Sequence, residues 1–184
     1  MSGFVLRPSA AADVPAIASI YAHHVREGLG SFEETPPSAE EVARRREAVL
    51  ALGLPFTVAE AGGRVLGYAY AQPYRPRSAY RYSLEDSIYV ARDFARRGIG
   101  QALLANLIAA SAKLGYRQMV AVIGGSGNLA SIRLHEKLGF ARIGILPAVG
   151  FKHGGWVDSV LMQRALGEGA QSLPVGKPPQ AASG

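Results

Sequence analysis

The apolar positions of this chain follow two periods in turn, one of two residues and one close to three and a half. Residues 4–7 alternate like a short strand. Asp13-Val14-Pro15 then predicts a helix start, with Asp13 as N-cap and a proline in the first turn. Ile17, Ile20, Tyr21 and Val25 fall on one face of that helix. Residues 28–37 have no period and read as an irregular loop. Ser38-Ala39-Glu40-Glu41 is a capping box, and the helix it opens ends near Leu52-Gly53. Residues 56–60 and 65–71 read as strands joined by a hairpin turn at Gly62-Gly63. A basic, tyrosine-bearing loop at residues 75–81 precedes a strand at residues 83–90.

Residues 98–114 carry Ile99, Leu103, Leu104, Leu107, Ile108 and Leu114 at helical spacing. The unbroken apolar run 119–123 predicts a strand buried on both faces. Residues 128–138 read as a helix stopped by Gly139, and strands near residues 141–146 and 156–163 complete an α+β layout. From Gly167 the chain is Gly, Pro, Ala and Ser with little to bury. A single domain of residues 1–166 followed by a disordered tail of residues 167–184 is therefore expected.

Composition narrows the chemistry. A length of 184 residues with 48% hydrophobic and 18% charged residues suits one globular domain with a real core. The absence of cysteine excludes disulfides, thiolate metal sites and a cysteine nucleophile. The histidines, His23, His24, His135 and His153, show no zinc-ligand spacing, so no metal is expected. The N-terminus lacks a basic segment followed by an apolar run, and no apolar stretch reaches the roughly 18 residues of a membrane span. A cytoplasmic protein without membrane association is expected. The net charge of +6 is compatible with nucleic acid or with a small polyanion. The arginines are scattered except at Arg44-Arg45-Arg46 and Arg96-Arg97, and no basic-aromatic face is clustered, so no nucleic-acid partner is expected.

Two glycine turns stand between a strand and a helix. In Arg96-Arg97-Gly98-Ile99-Gly100, free amides, the helix dipole and two arginines favour an anion, and the glycines would let the backbone approach a phosphate. On the glycines alone, a tight strand-to-helix connection explains the run equally well. Gly125-Ser126-Gly127-Asn128-Leu129-Ala130 matches a dinucleotide fingerprint, but the acid that motif needs at the end of the next strand is missing from residues 143–148. A nicotinamide cofactor is not expected.

Taken in order, the strand, Arg96-Arg97-Gly98-Ile99-Gly100, the long helix, the buried strand and Asn128-x-x-Ser131-x-x-x-His135-Glu136-Lys137-x-Gly139-Phe140 resemble the GNAT (Gcn5-related N-acetyltransferase) superfamily. The segments at residues 80–90, 120–124 and 150–158 are similar to its phosphinothricin and methionine sulfoximine acetyltransferase branch. The resemblance covers about residues 4 to 164. It implies an α+β GNAT fold, a mostly antiparallel mixed sheet of about six or seven strands flanked by about four helices. The implied activity is transfer of acetyl from acetyl-coenzyme A, a co-substrate, to the α-amine of a small amino-acid-like acceptor, by direct attack in a ternary complex. Methionine sulfoximine, methionine sulfone and phosphinothricin are the implied acceptors, and a homodimer the implied assembly. Protein N-termini or another small amine remain as alternative acceptors, and a non-catalytic acetyl-coenzyme A-binding module as an alternative class.

The resemblance also assigns roles. Arg96, Arg97, Gly98, Ile99, Gly100 and Gln101 would hold the diphosphate. The backbone of Tyr89 and Val90 would pair with the pantetheine arm, which Asn128 and Ser131 also contact, and the Val90 amide would face the oxyanion. Glu85 is the implied base. His135, where the family often has a tyrosine, is a candidate acid near the sulfur or an assistant to the base. One departure is Ala95, where the superfamily signature has Gln or Arg, and Arg96 or Arg97 is expected to compensate. For the acceptor, the forked guanidiniums of Arg75 and Arg77 suit a carboxylate, with Lys152 as an outer candidate. Phe32 and Glu33 resemble the branch's pocket-lining segment, and Tyr80 or Tyr82 is expected to supply an aromatic wall.

Overall fold

The computed structural model describes residues 3–175. Within them the chain forms β1 (Val5–Pro8), α1 (Val14–Glu27), α2 (Ala39–Ala51), β2 (Phe56–Ala61), β3 (Arg64–Pro73), β4 (Ser83–Val90), α3 (Ile99–Lys113), β5 (Gln118–Gly124), α4 (Leu129–Lys137), β6 (Ala141–Lys152) and β7 (Gly155–Ala165). The strands make one sheet in the order β1-β2-β3-β4-β5-β7-β6. Every neighbouring pair is antiparallel except β4 and β5. That parallel pair is short: it joins Ser83 to Gln118, Leu84 to Met119 and Glu85 to Val120, and there it ends. Beyond Glu85 the two strands have no pairing, and the sheet is split.

Each face of the sheet buries a helical stripe. Tyr21 of α1 packs edge-on against Tyr89, which puts α1 on the face that carries the odd-numbered side chains of β4. Ile17 of α1 and Val42 and Val49 of α2 fill the core on this side. The other face carries α3, whose Leu103, Leu104 and Leu107 are wholly buried, and α4, reached through His135 and Asp86. A three-turn apolar stripe of this kind is what holds a helix to a sheet, since propensity alone leaves helices of this length marginal.

Several boundaries differ from the sequence pattern. Asp13 is not a side-chain cap: its carboxylate accepts a bidentate pair from Arg7 at 2.7 and 2.8 Å and the Ala10 amide at 2.7 Å, and a charge-assisted fork outcompetes a cap. Ser38 does cap α2, accepting from the Glu41 amide at 3.2 Å, while the Glu41 carboxylate turns to Arg44 and Arg45. Val122 is 40% exposed although its strand is central, because the split opens beside it. The sixth strand runs on to Lys152 through two irregularities. The chain also stays packed past Gly167: Leu166 is buried, and Arg117 donates to Gly169 O at 3.4 Å and to Ser172 Oγ at 3.2 Å. The remainder of the expected tail, residues 176–184, lies outside the described residues.

Candidate active site

The split makes a site because of strand parity. The Ala91 amide donates to Leu66 and the Tyr74 amide to Ser83, so the odd-numbered residues of β4 turn their backbone groups toward β3. The Tyr82 carbonyl accepts from the amides of Arg117 and Gln118, so the even-numbered residues face β5. Past Glu85 there is no β5 to meet them. The backbone groups of Asp86, Ile88 and Val90 therefore line an open wedge, where an extended amide-bearing chain can pair as an added strand. Tyr89 does not share this property. Its backbone lies opposite Tyr68 in the β3 ladder, so of the two residues expected to pair with a pantetheine arm only Val90 has a free amide. The Val90 carbonyl accepts a hydrogen bond from His24 Nε2 at 2.9 Å, which fixes the end of the strand. Burial lowers the His24 pKa and so keeps the ring a neutral donor.

At the mouth of the wedge the chain turns from β4 into α3. Gly98 has φ +79°, a left-handed conformation that suits glycine, and Arg96 reaches φ +62° beside it. The first intrahelical bond is from the Ala102 amide to Gly98 O. The amides of Ile99, Gly100 and Gln101 thus point out of the helix start, where the dipole is positive. Ala95, Arg96, Gly98, Ile99, Gly100 and Gln101 all line the cavity. Arg97 does not: its guanidinium lies over the Phe94 ring at 5.2 Å, with Arg64 on the same ring at 5.3 Å. Of the two arginines expected to compensate for Ala95, only Arg96 is placed to do so.

The cavity has a volume of about 1410 Å³. A pocket for one drug-sized ligand is roughly 300–1,000 Å³, so this one has room for a coenzyme and an acceptor together. Asn128 and Ser131 are on its wall, with Asn128 Oδ1 engaged as the α4 cap at 3.3 Å from the Ser131 amide. Glu85 is half-buried on the α1/α2 side of the wall, beside Tyr70 and Gln72. Burial raises its pKa, the Asp86 charge adds to this, and Arg75 and Gln72 oppose it.

Behind the wedge, on the α3/α4 side, His135 is 3% exposed. Its Nδ1 donates to Ser131 O at 2.8 Å and its Nε2 lies 3.0 Å from Asp86 Oδ2. Burial alone would push the imidazole down, but Asp86 and the Ser131 carbonyl outweigh it and the net shift is up. Both partners are acceptors, so the ring is held as a cation against a carboxylate. His135 lines the cavity, but both nitrogens are engaged, so the direct acid role expected for it would require one of these bonds to break. The other carboxylate oxygen, Asp86 Oδ1, is buried without a partner.

The expected acceptor residues divide. Phe32 and Glu33 line the cavity, Glu33 accepting from Tyr21 at 2.9 Å and from Arg45 at 2.6 Å. Arg75, Arg77, Tyr80 and Tyr82 do not line it. Arg75 lies 4.9 Å over the Tyr74 ring, which meets Tyr80 edge-on, and Arg81 lies over Tyr82, so this loop packs on itself. Arg75 alone of the group acts on Glu85, through its charge. Lys152 is a correction. It is 3% exposed, and its ammonium donates to two backbone carbonyls, which removes it from any acceptor carboxylate. Sequence reasoning passed over His24, Tyr21 and Asp86. For Asp86 a signal existed: strand parity puts it opposite Glu85, on the face that α4 covers.

A split sheet with free β4 amides, a helix start whose amides face the cavity and a half-buried carboxylate on the same strand suit transfer of an acyl group carried on a phosphate-bearing coenzyme. Residues 17–140 match the family model described as "Acetyltransferase (GNAT) family". The chain is 54% identical over 162 residues to the phosphinothricin N-acetyltransferase of Alcaligenes faecalis, covering 88% of this chain and 82% of the relative. It is 40% identical over 162 residues to the L-methionine sulfoximine/L-methionine sulfone acetyltransferase of Pseudomonas paraeruginosa, with 88% and 94% covered. The crystal structure of a GNAT superfamily phosphinothricin acetyltransferase from Sinorhizobium meliloti in complex with acetyl-coenzyme A superposes with a TM-score of 0.91 at 46% identity, over 94% of this chain and 93% of that one. This chain belongs to the GNAT acetyltransferase family, in its phosphinothricin/methionine sulfoximine branch, and is an acetyl-coenzyme A-dependent N-acetyltransferase. Among the described residues no helix is long and apolar enough to cross a membrane, and no cluster of His, Cys, Asp or Glu could hold a metal ion.

Proposed function

We propose that this protein acetylates the α-amine of a small amino acid with a tetrahedral, oxygen-rich side chain, namely phosphinothricin, methionine sulfoximine or methionine sulfone. The observation that carries the reading is the placement of Glu85: a carboxylate of raised pKa on the α1/α2 wall, on the strand whose Val90 amide faces the wedge. An acceptor entering from that side presents its ammonium to Glu85, which takes a proton directly or through a water. The amine then attacks the thioester carbonyl of acetyl-coenzyme A, forming the new C–N bond. The Val90 N–H receives the oxyanion, the C–S bond breaks, and the thiolate leaves with the second proton of the attacking nitrogen, giving the amide and free coenzyme A. The helix start at Ile99 to Gln101, with Arg96, holds the diphosphate of this substrate, and Asn128 and Ser131 border its pantetheine arm. Arg75, whose charge reaches Glu85, is the cation of the basic loop best placed for the acceptor's α-carboxylate.

The catalytic domain in this reading is residues 1–166, in the cytoplasm, working as a homodimer. The edge strand β6 supports the dimer: Ile143, Val149, Phe151 and neighbouring Trp156 are all more than half exposed. An apolar edge of this kind is a surface that pairing covers. Sedimentation of the full chain tests the assembly. The activity is tested by thiol release from acetyl-coenzyme A with free amino acids, the three analogues and their methyl esters. Free acids as substrates and esters as poor ones are expected; equal use of esters points instead to a peptide or simple amine acceptor.

A further inference from the structure

Lys152 ends β6 on the far side of the split, yet its ammonium is bonded to the loop between α1 and α2. Nζ donates to Gly28 O at 2.9 Å and to Ser31 O at 2.6 Å. The same loop is pressed onto the β5–β7–β6 half of the sheet at two further points. A Cβ at Gly124, the end of β5, would stand 1.8 Å from Leu29 O, and one at Gly150, in β6, would stand 2.4 Å from the Phe32 ring. On the other half, Tyr21 Oη is 2.8 Å from Ser31 Oγ and donates to Glu33, and Arg45 of α2 holds Glu33 at 2.6 Å. Residues 28–33 are therefore fastened to both halves of a sheet that is itself unpaired beyond Glu85, and all of them line the cavity.

We propose that residues 28–33 form a strap across the split, pinned by Lys152, and that Lys152 is a positioning residue that sets the acceptor wall at Phe32 and Glu33 without touching either substrate. The acceptor part rests on the proposed function; the pin does not. The chemistry suits a pin. Among the described residues no backbone amide bonds the Gly28 or Ser31 carbonyl, and one ammonium satisfies both at once. No carboxylate bonds to Lys152, so the group has no ion-pair role to explain its burial; Glu33 and Glu34 act on it only through their charge. The strap belongs to the acceptor side, since its fastenings reach α1, α2, β5 and β6 and leave the diphosphate turn at Arg96 to Gln101 alone.

Two variants of the full chain test this by different routes. Lys152→Met removes the pin. Gly150→Ala keeps the pin but forces Phe32 off β6, and because the φ of Gly150 is not positive, alanine acts there through Phe32 alone. Hydrogen exchange is followed in residues 28–34 and in α3. Exchange in the strap is expected to rise about tenfold in either variant with α3 unchanged. In Lys152→Met an unchanged strap, or an equal rise in α3, overturns the pin. In steady-state assays the acceptor KM is expected to rise about tenfold, with kcat and the acetyl-coenzyme A KM within about twofold of wild type. A free strap with an unaltered acceptor KM overturns the positioning role, and so does an equal rise in both KM values. If Lys152→Met does not fold, Lys152→Gln, which keeps a donor in place of the ammonium, decides the pin, and Gly150→Ala decides the acceptor role of the strap. If the wild-type chain acetylates no amino acid, the proposed function fails, and exchange still decides the pin.

Discussion

Asp86→Asn should weaken the fold near pH 6 and do little at pH 9. In the native protein Asp86 Oδ2 faces His135 Nε2 at 3.0 Å, and both side chains are nearly inaccessible. The imidazole pKa is raised in the folded state, so the protonated ring binds its site better than the neutral one. The stability this contributes is fully present below the ordinary histidine value of about 6.5 and is lost as the pH rises through the higher folded value. Breaking a buried ion pair by neutralising one partner costs about 3 kcal/mol at the low end of the usual range. For a chain of this size each kcal/mol shifts Tm by about 2–4 °C, so the variant should melt about 6–12 °C lower at pH 6. Above the folded pKa the Nε2 lone pair faces a carboxylate, whereas the asparagine amide can donate to it. The gap should therefore shrink or reverse at pH 9. Thermal unfolding of both proteins from pH 5.5 to 9 measures it, and an equal Tm difference across that range would refute the pairing. The same substitution has a kinetic arm. Asp86 is one of the causes that raise the Glu85 pKa, so the acidic limb of kcat/KM should move to lower pH in the variant.

Glu85→Gln should lower kcat about a hundredfold near neutral pH, the scale of a lost general base, and the loss should narrow as the acceptor amine deprotonates on its own at high pH. A wild-type pH profile in that variant removes Glu85 from the mechanism. Arg96→Ala should raise the acetyl-coenzyme A KM about fivefold or more, as for one charge-assisted contact, while Arg97→Ala leaves it near wild type because that side chain lies on Phe94. The reverse order would mean the diphosphate sits elsewhere. His24→Phe should lower kcat about tenfold with both KM values little changed, since the lost bond orients Val90 and touches no substrate. Equal loss in kcat and in coenzyme affinity would show that His24 merely supports the fold.

The sequence was most legible where one local rule acted alone. The strand at Ser83–Val90 has the bounds read from the sequence, and Ser38 capped the helix its box announced. The glycine turn at Gly98 was visible as a turn, and its order relative to Asn128 and His135 carried the family resemblance. What stayed hidden were properties of pairs distant in sequence. Arg7 captured Asp13 from its cap, and Phe94 took Arg97 away from the cavity. Lys152 was read as an outer candidate for the acceptor carboxylate because nothing near it in sequence shows that carbonyls at Gly28 and Ser31 will hold its ammonium. A charged side chain announces its type in the sequence and its partner only in the fold.

The split between β4 and β5 explains why the two adjacent carboxylates cannot exchange roles. Because a strand alternates, Glu85 points to the half-open face under α1 and α2, and Asp86 to the sealed face under α4. On the open face a carboxylate of raised pKa can reach a substrate and release its proton to water, as a base must. On the sealed face a carboxylate without a cation would be untenable, and His135 is supplied by the helix that follows β5. Asp86 then has a second effect, since its charge lifts the Glu85 pKa through the strand. The pair under α4 thus acts on the proposed base without touching it. A one-residue slip of β4 against β3 would exchange the two environments, placing Glu85 against His135 and Asp86 on the α1/α2 side. The β3–β4 register, fixed by seven consecutive partners from Gly67–Val90 to Pro73–Leu84, is accordingly what assigns each carboxylate its environment, and the proposed mechanism depends on it as much as the fold does.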